Sequence, residues 1–190
     1  MFRFDPDTHR YTLGDLELDS VTGILTAEGF IDTRFYDEWS RTRGSYVHEA
    51  THLYDRGELD EDALDPQLVP YLEAYKKFLK ETGAEILESE IPYYHPEYLY
   101  AGRPDKKALL FGTETTIEIK SGNIEPWARI QAASYMLLNG TKKACGLQLK
   151  PDGSYKLHEF KDRKDIHLWL SILAVHNWKK NNLRRSQWMH

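Results

Sequence analysis

The chain has one cysteine, Cys145, among its 190 residues. A single thiol excludes an internal disulfide, and it excludes any iron–sulphur cluster or zinc site that needs several thiolates. No apolar run comes near the roughly 20 residues that a membrane-spanning helix needs. The opening residues 1–5 lack the basic-then-apolar pattern of a secretory signal. We therefore expect a soluble, cytoplasmic (intracellular) protein with no membrane partner.

The chain also lacks the features that divide a sequence into domains. It contains no internal repeat, no low-complexity segment and no long linker. Hydrophobic residues make up 41% of the chain and aromatic residues 13%, which is enough for one hydrophobic core. The sequence predicts a single domain over residues 1–190.

Charge is distributed unevenly along the chain. Residues 1–105 carry 10 basic and 23 acidic side chains, whereas residues 106–190 carry 15 basic and 7 acidic ones, within a net charge of −5. This asymmetry is compatible with one basic face that meets phosphates. The alternative is that the basic clusters Lys142–Lys143, Lys161–Lys164 and Lys179–Arg185 are solvated surface.

Hydrophobic periodicity and turn residues predict a mixed α/β domain with a five-stranded sheet flanked by helices. Ser20 or Thr22 can cap the first helix, Gly44 is expected to interrupt the second, and Gly83 and Asn139–Gly140 are stop signals. The predicted segments are an N-terminal β-hairpin or meander over 2–19, helices near 20–25, 33–53, 66–82, 127–138 and 164–181, and strands near 84–94, 98–105, 113–120, 144–150 and 155–160.

Two consecutive predicted strands carry acidic and basic side chains that can form one site. Glu118 and Lys120 project from one face of a strand because side chains alternate, and a turn can bring Asp105 beside them. Two carboxylates and an amine around a small volume suit a divalent metal and a phosphodiester. Charged residues on strands often form only the solvent-exposed face of a sheet. Here, however, Gly102 and Pro104 fix an unusual backbone next to Asp105, which favours a functional site.

Helical residues add weaker signals. Gln131 and Tyr135 lie four residues apart on one face of a predicted helix, where a surface residue and a core aromatic are the ordinary interpretation. His48 can be a structural histidine, yet a neutral imidazole also ligates Mn²⁺ and other transition metals.

Taken together, these motifs resemble the PD-(D/E)XK nuclease superfamily. The resemblance is carried by four motifs in that family's order, and it spans about residues 10–140: Arg43–Glu49, Gly102–Asp105, Glu118–Lys120 and the Gln131/Tyr135 pair. Within that superfamily, the chain is similar to the RecB-type branch, which includes phage-type exonucleases and mitochondrial genome maintenance exonucleases. The N-terminal segment from Tyr11 through the run Ser20–Leu25 also resembles the opening of phage-associated members. The chain departs from cluster-bearing members, because one cysteine cannot build their iron–sulphur cluster.

The resemblance implies a restriction-endonuclease-like core and a set of site residues. It makes His48, Asp105, Glu118 and the backbone carbonyl of Ile119 ligands of Mg²⁺ or Mn²⁺, and Lys120 the residue that orients water or stabilises phosphate charge. Further residues implied to contact nucleic acid or support the site are Arg43, Gln131, Tyr135 and the acid Glu90.

The expected activity is metal-dependent hydrolysis of DNA, by an exonuclease of recombination, repair or phage replication acting on single strands or duplex ends. A recombination or replication protein is an expected partner. The alternatives are a structure-specific endonuclease, a non-catalytic nucleic-acid-binding module with the same fold, and an interaction protein whose strand acids serve stability alone.

Overall fold

In a computed structural model, the described part of the protein comprises residues 1–32, 34, 38–162 and 164–183. The predicted start of the second helix at 33 and 35–37, and the basic residues Arg163, Arg184 and Arg185, lie outside it. No helix in the described ranges is long and apolar enough to cross a membrane.

Ten strands and five helices make up the described fold. In chain order they are β1 (Phe2–Asp5), β2 (Arg10–Leu13), β3 (Leu16–Ser20), α1 (Val21–Ala27), α2 (Glu38–Asp55), α3 (Val69–Thr82), β4 (Glu85–Ser89), β5 (Tyr93–Tyr94), β6 (Tyr100–Gly102), β7 (Lys106–Leu110), β8 (Thr113–Lys120), α4 (Trp127–Asn139), β9 (Lys143–Leu149), β10 (Tyr155–Phe160) and α5 (Lys164–Asn182).

The strands form two five-stranded mixed sheets. The main sheet has the order β10-β9-β8-β7-β4, and its β8 and β9 are parallel while its other neighbours are antiparallel. The second sheet has the order β1-β2-β3-β6-β5, in which β3 and β6 are parallel. The predicted mixed α/β fold, with a five-stranded sheet and an N-terminal β-meander, is confirmed.

The strand boundaries near the site differ from the prediction. The predicted strand 84–94 is two strands in different sheets, β4 and β5, and the predicted strand 98–105 is shortened to β6. The main sheet takes β7 instead, so Asp105 lies between strands. Pro104 has no N–H to give to a strand ladder, which favours a crossing from one sheet to the other at this point.

Helices cover both faces of the main sheet. Ile117 and Ile119 of β8 face a core that includes Tyr75 and Phe78 of α3. The opposite face, which carries Glu118, packs against α4. An eight-residue strand in the middle of the sheet therefore presents its polar side chains to a buried helix.

Helix ends follow the predicted signals, with one exception. Ser20 caps α1 by accepting a hydrogen bond from the Gly23 N–H, and left-handed Gly83 and Gly140 end α3 and α4. Gly44 does not interrupt α2, which runs through it without a break. The tertiary packing of this helix thus outweighs the low intrinsic helix propensity of glycine.

Candidate active site

Asp105 lies at the crossing between the two sheets and is held there by the backbone. Its Oδ2 accepts a hydrogen bond of 2.6 Å from the Ile119 N–H, and its carbonyl accepts one of 3.0 Å from the Glu90 N–H. The side chain is buried. These contacts fix the carboxylate at the junction of β7, β8 and the segment after β4.

Glu118 and Lys120 lie side by side on the face of β8 that is covered by α4. Lys120 Nζ donates to Glu118 Oε1 at 2.8 Å and to Gln131 Oε1 at 3.3 Å. Glu118 is 1% exposed, and within the described ranges its other oxygen, Oε2, has no hydrogen-bond partner. A buried carboxylate oxygen without a donor is costly, so this atom is a candidate acceptor for a cation.

His48 of α2 approaches the same point from another side. Its Nδ1 lies 3.0 Å from Asp105 Oδ1 and 3.6 Å from Glu90 Oε1. His48, Glu90 and Asp105 each offer one ligand atom within 4.8 Å of the other two, which is the spacing of a possible metal site among the described residues. That trio does not include Glu118.

Glu90 contributes more to this arrangement than its sequence context indicates. It follows β4 directly rather than lying within it, with a left-handed φ of 56°. Its second oxygen, Oε2, lies 2.7 Å from Arg103 Nε. Residues in sparsely populated backbone regions cluster at functional sites. Neither the left-handed φ nor the Arg103 contact has a sequence signal, although Arg103 lies inside the Gly102–Asp105 motif.

The charges of the site shift its pKa values in opposite directions. Burial opposes ionisation of Asp105, but His48 and Lys120 lower the pKa of its carboxyl below the usual value. Burial lowers the pKa of His48, but Asp105 and Glu90 together outweigh this and raise it to about 10. Burial and then repulsion from Asp105 raise the pKa of Glu118 to about 7. The carboxylates of the site are therefore balanced by the neighbouring positive charges of His48, Lys120 and Arg103.

The predicted pair Gln131 and Tyr135 lies on α4, where Gln131 contacts Lys120. Gln131 and Tyr135 of α4 are both buried, and Gln131 Nε2 donates to the Tyr135 hydroxyl at 3.2 Å. The Trp127 ring lies 5.1 Å from Lys120 Nζ. In this position Gln131 and Tyr135 support the lysine; contact between either residue and nucleic acid stays a prediction.

Arg43 belongs to α2, and its side chain reaches the end of β8, next to Ser121. Its Nε is 3.5 Å from Ser121 Oγ, and its guanidinium lies 5.9 Å from the centre of the Tyr71 ring. The arrangement brings Arg43 to the edge of the site, and its contact with nucleic acid likewise stays a prediction.

Several basic residues that suggested a basic face are paired with carboxylates. Lys161 lies 2.5 Å from Glu159, Lys179 lies 2.6 Å from Glu28, and Lys180 lies 2.5 Å from Asp19. The three lysine side chains are 39–81% exposed, as the solvated-surface alternative expects.

Two solved structures of the alkaline exonuclease LHK-Exo from Laribacter hongkongensis match most of the chain. The complex with dAMP is 18% identical over 90% of this chain and 93% of its own, with a TM-score of 0.46. The other is 15% identical over 88% and 94%, with a TM-score of 0.43. No family model and no curated protein matches. Similarity this low assigns no function.

Proposed function

We propose that the chain is a divalent-metal-dependent nuclease that hydrolyses phosphodiester bonds of DNA. The observation that carries this proposal is the convergence of His48, Glu90 and Asp105 on one point, beside a buried Glu118–Lys120 pair on β8. Nothing in packing a sheet requires three acids, an imidazole and an amine at one junction. Burying such groups is costly without a ligand or partner.

The donor atoms fit a hard divalent cation. Carboxylate oxygens suit Mg²⁺ and Mn²⁺, and one imidazole favours Mn²⁺. The unsatisfied Glu118 Oε2 and the backbone carbonyl of Ile119 would add oxygen ligands next to the trio. When bound, such an ion would lower the pKa of an attacking water and offset charge on the scissile phosphate.

The protein's own residues would orient the reacting groups. Asp105 is held by its two backbone contacts, so its carboxylate needs little reorganisation when a ligand arrives. Lys120 would place a fixed positive charge where negative charge accumulates on the phosphate. Gln131 holds Lys120 from behind, which keeps the amine near Glu118 and the substrate.

We further propose that the substrate is a DNA strand end and that the enzyme acts as an exonuclease. Arg43 is suited to a phosphate at the end of β8, and Trp127, partly exposed next to Lys120, is suited to stacking on an unpaired base. A role in recombination, repair or phage replication, with a partner protein of that machinery, belongs to the same proposal.

A digestion time course on end-labelled single-stranded and duplex DNA tests the activity. It compares Mg²⁺, Mn²⁺ and EDTA for the wild type, for Asp105→Asn and for Asp152→Asn, a matched change in an exposed turn. We expect metal-dependent cleavage by the wild type and Asp152→Asn, and none by Asp105→Asn. Equal cleavage by Asp105→Asn would contradict the site assignment.

The same time course separates the alternatives. An exonuclease shortens labelled strands progressively from an end, whereas a structure-specific endonuclease releases internal fragments and also cuts closed circles. A non-catalytic module would bind DNA in a gel-shift assay and leave every substrate intact in both metals.

A further inference from the structure

A second group of polar residues is buried behind the candidate metal site. Lys106 Nζ lies 2.6 Å from Asp55 Oδ2 and donates to Ser89 Oγ at 2.7 Å. The Tyr75 hydroxyl donates to Asp55 Oδ1 at 2.8 Å, and His52 Nδ1 lies 2.8 Å from the same Ser89 Oγ. We call these five residues the inner network.

The inner network buries charged groups, which is energetically unfavourable compared with apolar packing. Lys106 is 1% exposed, and 6% of the Asp55 side chain is exposed. A buried ion pair is often no more stabilising than apolar residues of similar volume, because both charges lose their hydration. Packing therefore does not account for this pair, and the proposed cleavage mechanism does not use it.

The position of the inner network along the chain indicates what it does. Lys106 directly follows Asp105, Ser89 directly precedes Glu90, and His52 lies one helical turn after His48. Each member of the candidate metal trio therefore has a neighbour in the inner network. These three neighbours contact one another, because His52 and Lys106 both bond to Ser89 Oγ.

The network also joins the three elements that carry the trio. Ser89 is the last residue of β4. Its Oγ contacts His52 of α2 and Lys106 of β7, so it links these two elements to the end of β4. The Glu90 N–H then bonds to the Asp105 carbonyl. Glu90 has a left-handed φ of 56°, a conformation that persists only where surrounding contacts hold it.

We infer that Ser89, Lys106 and Asp55 are positioning residues that set the separation of His48, Glu90 and Asp105 for a divalent cation. This inference rests on the metal site of the proposed function. Residues that orient metal ligands typically alter metal affinity by about 10–100-fold when they are removed.

The test is Mn²⁺ binding to the intact protein without DNA, measured by electron paramagnetic resonance of the free ion. Ser89→Ala deletes the shared hydroxyl and leaves the Lys106–Asp55 pair in place. We expect its dissociation constant for Mn²⁺ to rise about 10-fold or more. The matched control is Thr141→Val, which deletes a buried hydroxyl bonded to Thr116 and Asn139, outside both the trio and the inner network, and should leave Mn²⁺ affinity unchanged.

A second variant covers the case in which Ser89→Ala does not fold. Asp55→Asn keeps the shape of the side chain and an acceptor for Tyr75, but it removes the charge that holds Lys106. We expect the same direction of change in Mn²⁺ affinity. A folded variant of either kind that binds Mn²⁺ within two-fold of the wild type overturns the inference.

Asp105→Asn, measured alongside, separates this inference from the proposed function. If Asp105→Asn loses Mn²⁺ binding while Ser89→Ala keeps it, the metal site is right and the positioning role is wrong. If the wild type and Asp105→Asn bind Mn²⁺ equally, the metal site itself is wrong, and both proposals fail.

Discussion

At the scale of single residues, Asp105 has three partners that belong to three different parts of the chain. It accepts from the Ile119 N–H on β8, contacts His48 on α2, and bonds through its carbonyl to Glu90 after β4. A side chain with so many fixed contacts is already organised for a ligand. Preorganisation of this kind lowers the cost of binding and of reaching a transition state.

Lys120→Ala is the sharpest test of a single residue. The amine lies next to Glu118 and is held by Gln131, so its removal deletes a fixed positive charge without opening the core. We expect the cleavage rate to fall about 100- to 1,000-fold, with an unchanged far-ultraviolet circular dichroism spectrum. Lys142→Ala, at an exposed lysine before β9, is the control. A Lys120→Ala enzyme at the wild-type rate would remove the lysine from the mechanism.

The sequence indicates part of this site and misses the rest for physical reasons. Asp105, Glu118 and Lys120 follow from strand alternation and a turn, and the structure brings them together around the Ile119 N–H. The sequence predicts only a supporting role for Glu90, because its position depends on a left-handed backbone after β4 and on Arg103. Such long-range contacts leave no periodic pattern in a sequence.

At the scale of secondary-structure elements, α2 offers a simple stability test at Gly44. The helix is continuous there, the residue has an ordinary negative φ, and an added Cβ would lie no closer than 4.0 Å to Ser121 Oγ. We expect Gly44→Ala to raise the free energy of unfolding by about 0.5–1 kcal/mol in urea titrations. Gly140→Ala provides the contrast, because its φ of 72° makes alanine destabilising by about 1–2 kcal/mol.

Gly102 in β6 gives the opposite expectation because it has no room for a side chain. An added Cβ would lie 2.6 Å from Cε1 of Tyr135 and 3.1 Å from Cγ2 of Val21. We expect Gly102→Ala to lower the free energy of unfolding by about 1–3 kcal/mol. Cleavage should also slow, since Tyr135 contacts Gln131, which holds Lys120. Unchanged thermal unfolding would show that the ring moves without cost.

The helices were easier to predict than the strands near the site. Capping by Ser20 and the stops at Gly83 and Gly140 are local signals that the structure confirms. The short strands β5, β6 and β7 are two to five residues long and belong to two sheets. Which sheet each one joins depends on distant partners, so neither alternation nor turn residues could assign them.

At the scale of the whole molecule, α5 is joined to the N-terminal region by a cluster of charges. Glu28 contacts His176 at 3.2 Å and Lys179 at 2.6 Å, although nearly 150 residues separate them in the chain. The hydrogen bond from Lys179 lowers the pKa of Glu28 against the opposing effect of burial, and His176 adds to the lowering.

This cluster predicts a pH-dependent contribution to stability. A carboxyl whose pKa is lower in the folded state stabilises the fold above the ordinary glutamate pKa of about 4.3, and it loses that effect as the pH falls through the folded value. We expect Glu28→Gln to be less stable than the wild type at pH 7, with a gap in the free energy of unfolding that narrows as the pH falls below the ordinary glutamate pKa. Urea unfolding across this range measures it, with exposed Glu97→Gln as the control. A gap that is constant with pH would contradict the ion-pair explanation.

Metal binding should stabilise the entire fold, because the trio connects α2, the end of β4 and the start of β7. A ligand that binds only the native state at 100 times its dissociation constant adds about 2.7 kcal/mol, or about 5–10 °C in Tm for a chain of this size. We expect Mn²⁺ to raise the Tm of the wild type and of Asp152→Asn, and EDTA to reverse the rise. Asp105→Asn should show no shift, because it replaces a charged ligand of the trio with a neutral amide. An equal shift in Asp105→Asn would mean that the ion binds elsewhere on the molecule.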